Sequence, residues 1–360
     1  MSLREFRRHV GRLAIVGFTG TSVPDDLRRL VAEFDLGGVI YFARNIVEPR
    51  QVAELSREVA GLSRDWPLWI SVDQEGGRVA RLQRPFTEWP PMATLGRSGD
   101  EALVERFARA LSAELRAVGV NLDYAPVLDI WTNPANHVIG DRAFADRAEV
   151  VARLGRRLVR ALQETGVAAC GKHFPGHGDT VADSHDELPL VEHPPDRLEA
   201  VELEPFRAAI AEGVATIMMA HVLVQAVDDT RPASLSHTLV TDWLKVKLGF
   251  GGVVLCDDLG MQAVATRPLG EISVDAIEAG NDVVLMCNST TEEQVVALET
   301  LIHAAEAGHL RQKRLDDALV RQRLVKEQFF GRQPMRIRVA LDVIGSTAHQ
   351  AVAQEMAAWR

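Results

Sequence analysis

A chain of 360 residues, 47% hydrophobic and 25% charged, has the apolar content for one large domain or two ordinary ones and is not composed like a disordered chain. A formal net charge of −10, with no Lys/Arg run forming a basic stripe, argues against a nucleic-acid partner. Three cysteines, Cys170, Cys256 and Cys287, lack CxxC spacing and cannot all pair, which fits a reducing compartment or simple burial of the thiols.

The chain opens MSLREFRRHVGRLAIVGFTG, where arginines interrupt any apolar run of signal-peptide length. No window approaches the roughly 20 apolar residues of a membrane helix, so a soluble, cytoplasmic protein without a membrane partner is expected. Short apolar runs then alternate with longer amphipathic stretches. The predicted strands are Leu13–Phe18, Gly38–Phe42, Leu68–Asp73, Asn121–Pro126, Val167–His173, Thr216–His221, Gly252–Asp257 and Asp282–Cys287. Between them, stretches such as Glu101–Val118, Arg147–Gly166 and Thr291–Ala305 space apolar residues at helical intervals among charges. Eight such units predict an α/β fold, a (β/α)8 TIM-type barrel, over an open doubly wound sheet; no GxGxxG follows the first strand. The barrel is expected over residues 1–333. Residues 334–360, with the apolar patch RVALDV and a terminal helix, are expected as a short C-terminal extension packing on the barrel, and the sequence leaves monomer or homodimer open.

Two connections, Gln74 to about Gly99 and Phe174 to about Arg197, are longer than ordinary βα loops, and long loops at strand C-terminal ends build sites. Polar residues collect at those ends: Asp73, Asp123, Lys172, His173, His221, Asp257 and Asp258. The densest stretch, KHFPGHGDTVADSHDELP, runs from Lys172 to Pro189. In an extended segment residues i and i+2 share a side, so the Asp183 carboxylate can reach a ring nitrogen of His185. It would fix the tautomer and favour the protonated imidazole, as a general acid requires. Without its neighbours, Asp183-Ser184-His185 is also compatible with a plain hydrogen-bonded turn. The strand GGVVLCDDLGM ends in two carboxylates, and alternation lets only one enter the barrel mouth. Asp257 is expected to face inward and Asp258 to cap backbone N–H groups.

These segments resemble the single-domain bacterial β-N-acetylglucosaminidases of glycoside hydrolase family 3. The resemblance is carried in order by GGVIYFARNI, DQEGGRVARL (73–82), VIGDRAF (138–144), KHFPGHGDTVADSHDELP and VVLCDDLGM (253–261), and spans about residues 12 to 330. It implies a barrel without cofactor or metal that removes terminal β-linked N-acetylglucosamine by double displacement. By motif position it implies Asp257 as nucleophile, His185 as acid/base with Asp183 behind it, and Asp73, Arg142, Lys172 and His173 as residues that hold the sugar. A His–Asp pair in place of the usual second carboxylate sets this subgroup apart and leaves phosphate conceivable as an acceptor. The family also implies a carbohydrate substrate of muropeptide type, met in peptidoglycan recycling. Cys256 and Ala143 stand where many members have Ser, and the chain shows no counterpart of the C-terminal domain of the larger β-glucosidases.

Two other classes compete with this reading. A metal-dependent hydrolase could use His173, His177, Asp179, Asp183, His185 and Asp257, although HExxH and HxH spacings are missing. A non-catalytic sugar-binding protein could use the same acids as hydrogen-bond partners.

Overall fold

The computed structural model describes residues 3–63, 66–181, 184, 187–331 and 341–360. Eight strands lie at the eight predicted places: β1 (Ala14–Val16), β2 (Gly38–Tyr41), β3 (Trp69–Val72), β4 (Leu122–Asp123), β5 (Ala168–Phe174), β6 (Thr216–Met219), β7 (Val253–Asp258) and β8 (Val283–Met286). Each pairs in parallel with its neighbours in chain order, and β8 returns to β1 through Ala14–Val284 and Val16–Met286, closing the barrel. Helices follow each strand, among them Asp25–Phe34, Pro49–Ala60, Glu101–Ala117, Ala148–Glu164, Leu269–Ala279 and Thr291–Glu306. None of the described helices is long and apolar enough to cross a membrane.

Period-two alternation divides the strand side chains into two cores. Ile15, Ile40, Trp69, Leu122, Ala168, Cys170, Val253, Leu255, Val283 and Leu285 share one buried cluster inside the barrel. Their neighbours Val16, Val39, Ile70, Ala169, Val254, Cys256 and Val284 belong to the larger cluster under the helices. Both sets are apolar because both strand faces are covered, which is why the strands read as continuous apolar runs. Helix Glu101–Ala117 shows the complementary rule: Asp100 caps it by accepting from Ala102 N–H at 2.8 Å, and Leu103, Phe107, Leu111 and Leu115, one turn apart, are buried. The N-terminal end of the barrel is plugged by the end of helix Gln312–Phe330, where Phe330 packs on Trp69 at 5.1 Å between ring centroids.

Two expectations need adjustment. Strand β4 has only two residues. After it the chain leaves as a third long connection, Tyr124 to Arg147, which was not anticipated. Its Val127, Ile139 and Ala143 form a small buried cluster of their own, so its apolar content did not read as loop. At the C-terminus, helix Thr347–Ala357 lies against helices Glu101–Ala117 and Met92–Ser98. Buried Glu114 accepts there from Thr87, from Gly345 N–H and from the His349 ring. The expected boundary at 333/334 and the first half of RVALDV fall outside the described residues.

Candidate active site

The inward rows of three strands end in a charged group at the C-terminal rim. Trp69 and Ser71 lead to Asp73, Ala168 and Cys170 to Lys172, and Val253 and Leu255 to Asp257. These three side chains line one cavity of about 280 Å³, floored by Ile40, Tyr124, Met218 and Leu285. His173 and Arg142 line it too, so the four residues expected to hold a sugar and the expected nucleophile converge.

The convergence is held by ions. Lys172 Nζ donates to Asp73 Oδ1 at 2.8 Å and lies 2.6 Å from Glu75 Oε1. Arg142 forks onto the same Glu75 through Nε and Nη2, both at 2.8 Å, and its Nη1 donates to Val138 O. Burial alone would push the Glu75 carboxyl up, but the two cations hold it well below the usual carboxylate range. Burial works against the charged Lys172 and Arg142 in turn, and the facing carboxylates outweigh it in both.

Glu75 reaches this position because DQEGGRVARL folds back as a ribbon in which Gln74–Gly76 pairs with Val79–Ala80. Gln74 closes it, accepting from Arg81 and Leu82 N–H at 2.8 and 2.9 Å. Gly76 and Gly77 take φ of +103° and +56°, and a Cβ on Gly76 would stand 2.7 Å from Pro90 O, so both conformation and space call for glycine.

At the end of β7 the pairing with β8 slips by one residue, from Cys256–Val284 to Asp258–Leu285. Asp257 is the extra residue of this irregularity, and it and Asp258 both border the cavity. That corrects the expectation that only one of them could enter. Their environments differ. For Asp257 burial raises the pKa, but His221, His173, the Asp258 N–H donating to Oδ1 at 2.8 Å and Lys172 bring it below the ordinary carboxylate range. For Asp258 burial dominates, and despite N–H donation from Cys287 and Gly260 its carboxyl is pushed up, Asp257 adding repulsion. Asp258 also accepts from Asn288, so its work is to tie the end of β7 to the end of β8. Paired carboxyls driven apart in this way mark Asp257 as the one held ionised.

Asp123 is wholly buried away from the cavity, accepting from Gln74 N–H, and is a structural residue. His221 bonds to Asp258 O and Ser234 behind the rim. Asp183 and His185 lie outside the described residues. Ser184 between them is buried at the cavity wall, its hydroxyl 3.4 Å from His177 Nε2 and its carbonyl accepting from Ala263 N–H. Burial, outweighing the pull of Asp129, lowers the His177 pKa to about 4, so that ring is neutral at pH 7.

Three site groups were not singled out from sequence. Glu75 and Arg81 stand in a motif read only for its Asp73. Arg81 lies over the Phe42 ring at 5.5 Å and 3.5 Å from Asp73. Asp129, buried in the connection after β4, bonds the His173 ring at 2.7 Å; an acid inside the apolar run PVLDI was the available signal. Of the described members of the competing metal set, His177 bonds Thr180, and Asp179 bonds Thr132 and His193. Among the described residues no group of three or more His, Cys, Asp and Glu could hold a metal ion.

A closed (β/α)8 barrel with an ionised carboxylate at its C-terminal rim, beside paired cations and carboxylates, has the layout of a glycoside hydrolase. Residues 6–325 match the Glycosyl hydrolase family 3 N terminal domain. A β-hexosaminidase from Nitrosomonas eutropha is 39% identical over 311 residues, covering 83% of this chain and 88% of the relative. Among solved structures, a family 3 β-N-acetylglucosaminidase from Paenibacillus superposes with a TM-score of 0.94 at 41% identity, covering 100% of this chain and 69% of that one. NagZ from Neisseria gonorrhoeae, in complex with N-trifluoroacetyl-D-glucosamine, gives 0.80 at 32%, covering 96% and 97%. The chain belongs to glycoside hydrolase family 3 and is a glycoside hydrolase.

Proposed function

We propose that this enzyme is a retaining, exo-acting β-N-acetylglucosaminidase with Asp257 as nucleophile and Asp183/His185 as acid/base dyad. The observation that carries the reading is Asp257 itself: a carboxylate facing the cavity, held ionised, beside a carboxyl driven the other way. A nucleophile must be charged when substrate arrives. Asp257 attacks the anomeric carbon while His185 gives its proton to the departing oxygen. His185, now neutral, takes a proton from water, which breaks the glycosyl ester and frees the sugar with its configuration retained.

The cavity of about 280 Å³ lies at the small end of the roughly 300–1,000 Å³ usual for ligand pockets, and barrel-core residues line its inner end. That suits one terminal sugar and an exo mode. Asp73, Arg142, Lys172 and His173 supply carboxylate, cationic and imidazole partners for its hydroxyls and acetamido group. Ser184, the described residue of the Asp183-Ser184-His185 element, lines the cavity wall. The names of the relatives and the N-trifluoroacetyl-D-glucosamine bound by the gonococcal protein support the N-acetylglucosamine glycon. We take peptidoglycan fragments in the cytoplasm as the natural substrate, with water as acceptor.

The test is a rate comparison on 4-nitrophenyl β-glycosides of N-acetylglucosamine, glucose and xylose, with and without phosphate. A clear preference for the N-acetylglucosaminide, independent of phosphate and surviving EDTA dialysis, is expected. Preference for glucose, or dependence on phosphate or metal, would overturn the reading.

A further inference from the structure

A second Asp–His pair lies wholly within the described site. Asp129 is fully buried on the connection after β4 and touches three groups at once. Its Oδ2 lies 2.7 Å from His173 Nδ1, its Oδ1 accepts from His177 N–H at 2.7 Å, and the His173 N–H stands 3.3 Å from both oxygens. On the far side of the ring, His173 Nε2 faces Arg142 Nη2 at 3.5 Å, at the cavity.

The two neighbours of the ring are chemically one-sided. An ionised carboxylate can only accept, and a guanidinium can only donate. Asp129 is ionised: burial raises its pKa, but His173, His177 and the N–H groups bring it below the ordinary range. The proton of the ring therefore belongs on Nδ1. Arg142 is itself fixed by its fork onto Glu75, so neither neighbour can reverse its role.

We infer that Asp129 is a positioning residue that holds His173 as the Nδ1–H tautomer, leaving at the cavity an Nε2 lone pair that Arg142 Nη2 approaches only to 3.5 Å and that a sugar hydroxyl can take over as donor. The identity of that ligand rests on the function proposed above; the tautomer does not. The division of labour at the rim follows: Lys172 and Arg142 donate, while Asp73 and His173 accept. The same carboxylate also holds, through His177 N–H, the start of the segment that leads to Asp183 and His185.

Asp129→Asn separates these two tasks. The amide oxygen can keep the His177 N–H bond, while the amide NH2 then confronts His173 Nδ1 with a donor and drives the ring proton to Nε2, against Arg142. The ring state is read by two-bond 1H–15N correlation spectra of the free enzyme, the His173 signals among 11 histidines being assigned by their loss in His173→Gln. Wild type should show protonated Nδ1 and bare Nε2, and Asp129→Asn the reverse. With 4-nitrophenyl N-acetyl-β-glucosaminide the variant should lose about 10–100-fold in kcat/KM, the scale known for carboxylates that orient metal-binding histidines. The loss should lie mainly in KM, and the inhibition constant of free N-acetylglucosamine should rise with it.

Protonated Nε2 in wild type overturns the inference, and that spectrum decides the matter even if Asp129→Asn does not fold. An inverted tautomer with KM unchanged overturns the role in substrate binding, and a fall in kcat alone would move the work of the bare Nε2 from binding to the transition state. Wild type inert toward N-acetyl-β-glucosaminides would sink the proposed substrate, while the spectrum would still test the tautomer.

Discussion

Glu75→Gln removes one charge from the centre of the rim network while keeping shape and most hydrogen-bonding capacity. The side chain is 1% exposed and stands between Arg142, 12% exposed, and Lys172, 2% exposed. Lys172 would keep Asp73 at 2.8 Å, whereas Arg142 would exchange its bidentate carboxylate for a single amide oxygen beside the Val138 carbonyl. Removing one member of a buried ion pair costs about 3–5 kcal/mol, and the retained Asp73 places this case at the low end, near 3 kcal/mol. At ~2.1 cal/mol/K per residue, 360 residues give an unfolding entropy of ~0.76 kcal/mol/K, so Tm should fall by about 4 °C. Calorimetry at pH 7 reads this directly.

Acid supplies a second readout with a definite sign. The folded Glu75 carboxyl lies below its ordinary 4.5, so its stabilisation is complete above that value and is lost as pH falls beneath it. The Tm gap between wild type and variant should therefore narrow below about pH 4.5. Loosened Arg142 and Lys172 should also lower kcat/KM by about tenfold or more, the equivalent of one charged hydrogen bond. A Tm within about 1 °C of wild type at pH 7, together with unchanged kcat/KM, would refute the picture of Glu75 as the anion that organises the rim.

Asp257→Ala should cut kcat about a thousandfold or more, some 4 kcal/mol of barrier, with the fold intact; labelling of Asp258 by a slow 2-fluoro or 5-fluoro glycoside in intact-mass spectra would show the wrong carboxylate chosen. Because the Asp257 carboxyl is held low, the acid limb of wild-type kcat/KM should fall below the ordinary carboxylate range, and a limb at higher pH would contradict that. Lys172→Ala and Arg142→Ala should each cost about 1.5–3 kcal/mol in kcat/KM on activated and natural substrates alike, and wild-type kinetics in both would remove them from the site. His185→Ala should lose roughly two to four orders of magnitude on a chitobiose-like disaccharide but less in glycosylation with a dinitrophenyl leaving group, with Asp183→Ala a milder version; equal losses on both substrates would move the proton donor elsewhere.

The sequence by itself determined the barrel and its inward carboxylate. A parallel strand covered on both faces must be apolar at nearly every position, so each polar residue that closes such a run stands out. Period two then places Asp73, Lys172 and Asp257 on the row of Trp69, Ala168 and Leu255, whatever the loops do. Only tertiary structure decided what lies beside them. Glu75 becomes the shared partner of Arg142 and Lys172 because a glycine ribbon folds its loop across the rim, and Asp129 meets His173 because the chain after β4 runs on beside β5, Val127 bridging Lys172 in parallel. The slip at Asp257 that brings Asp258 to the same cavity depends on pairing with β8, far along the chain. Periodicity is a local property of the backbone, whereas the partner of a buried charge is chosen by chain segments that meet only after the barrel closes.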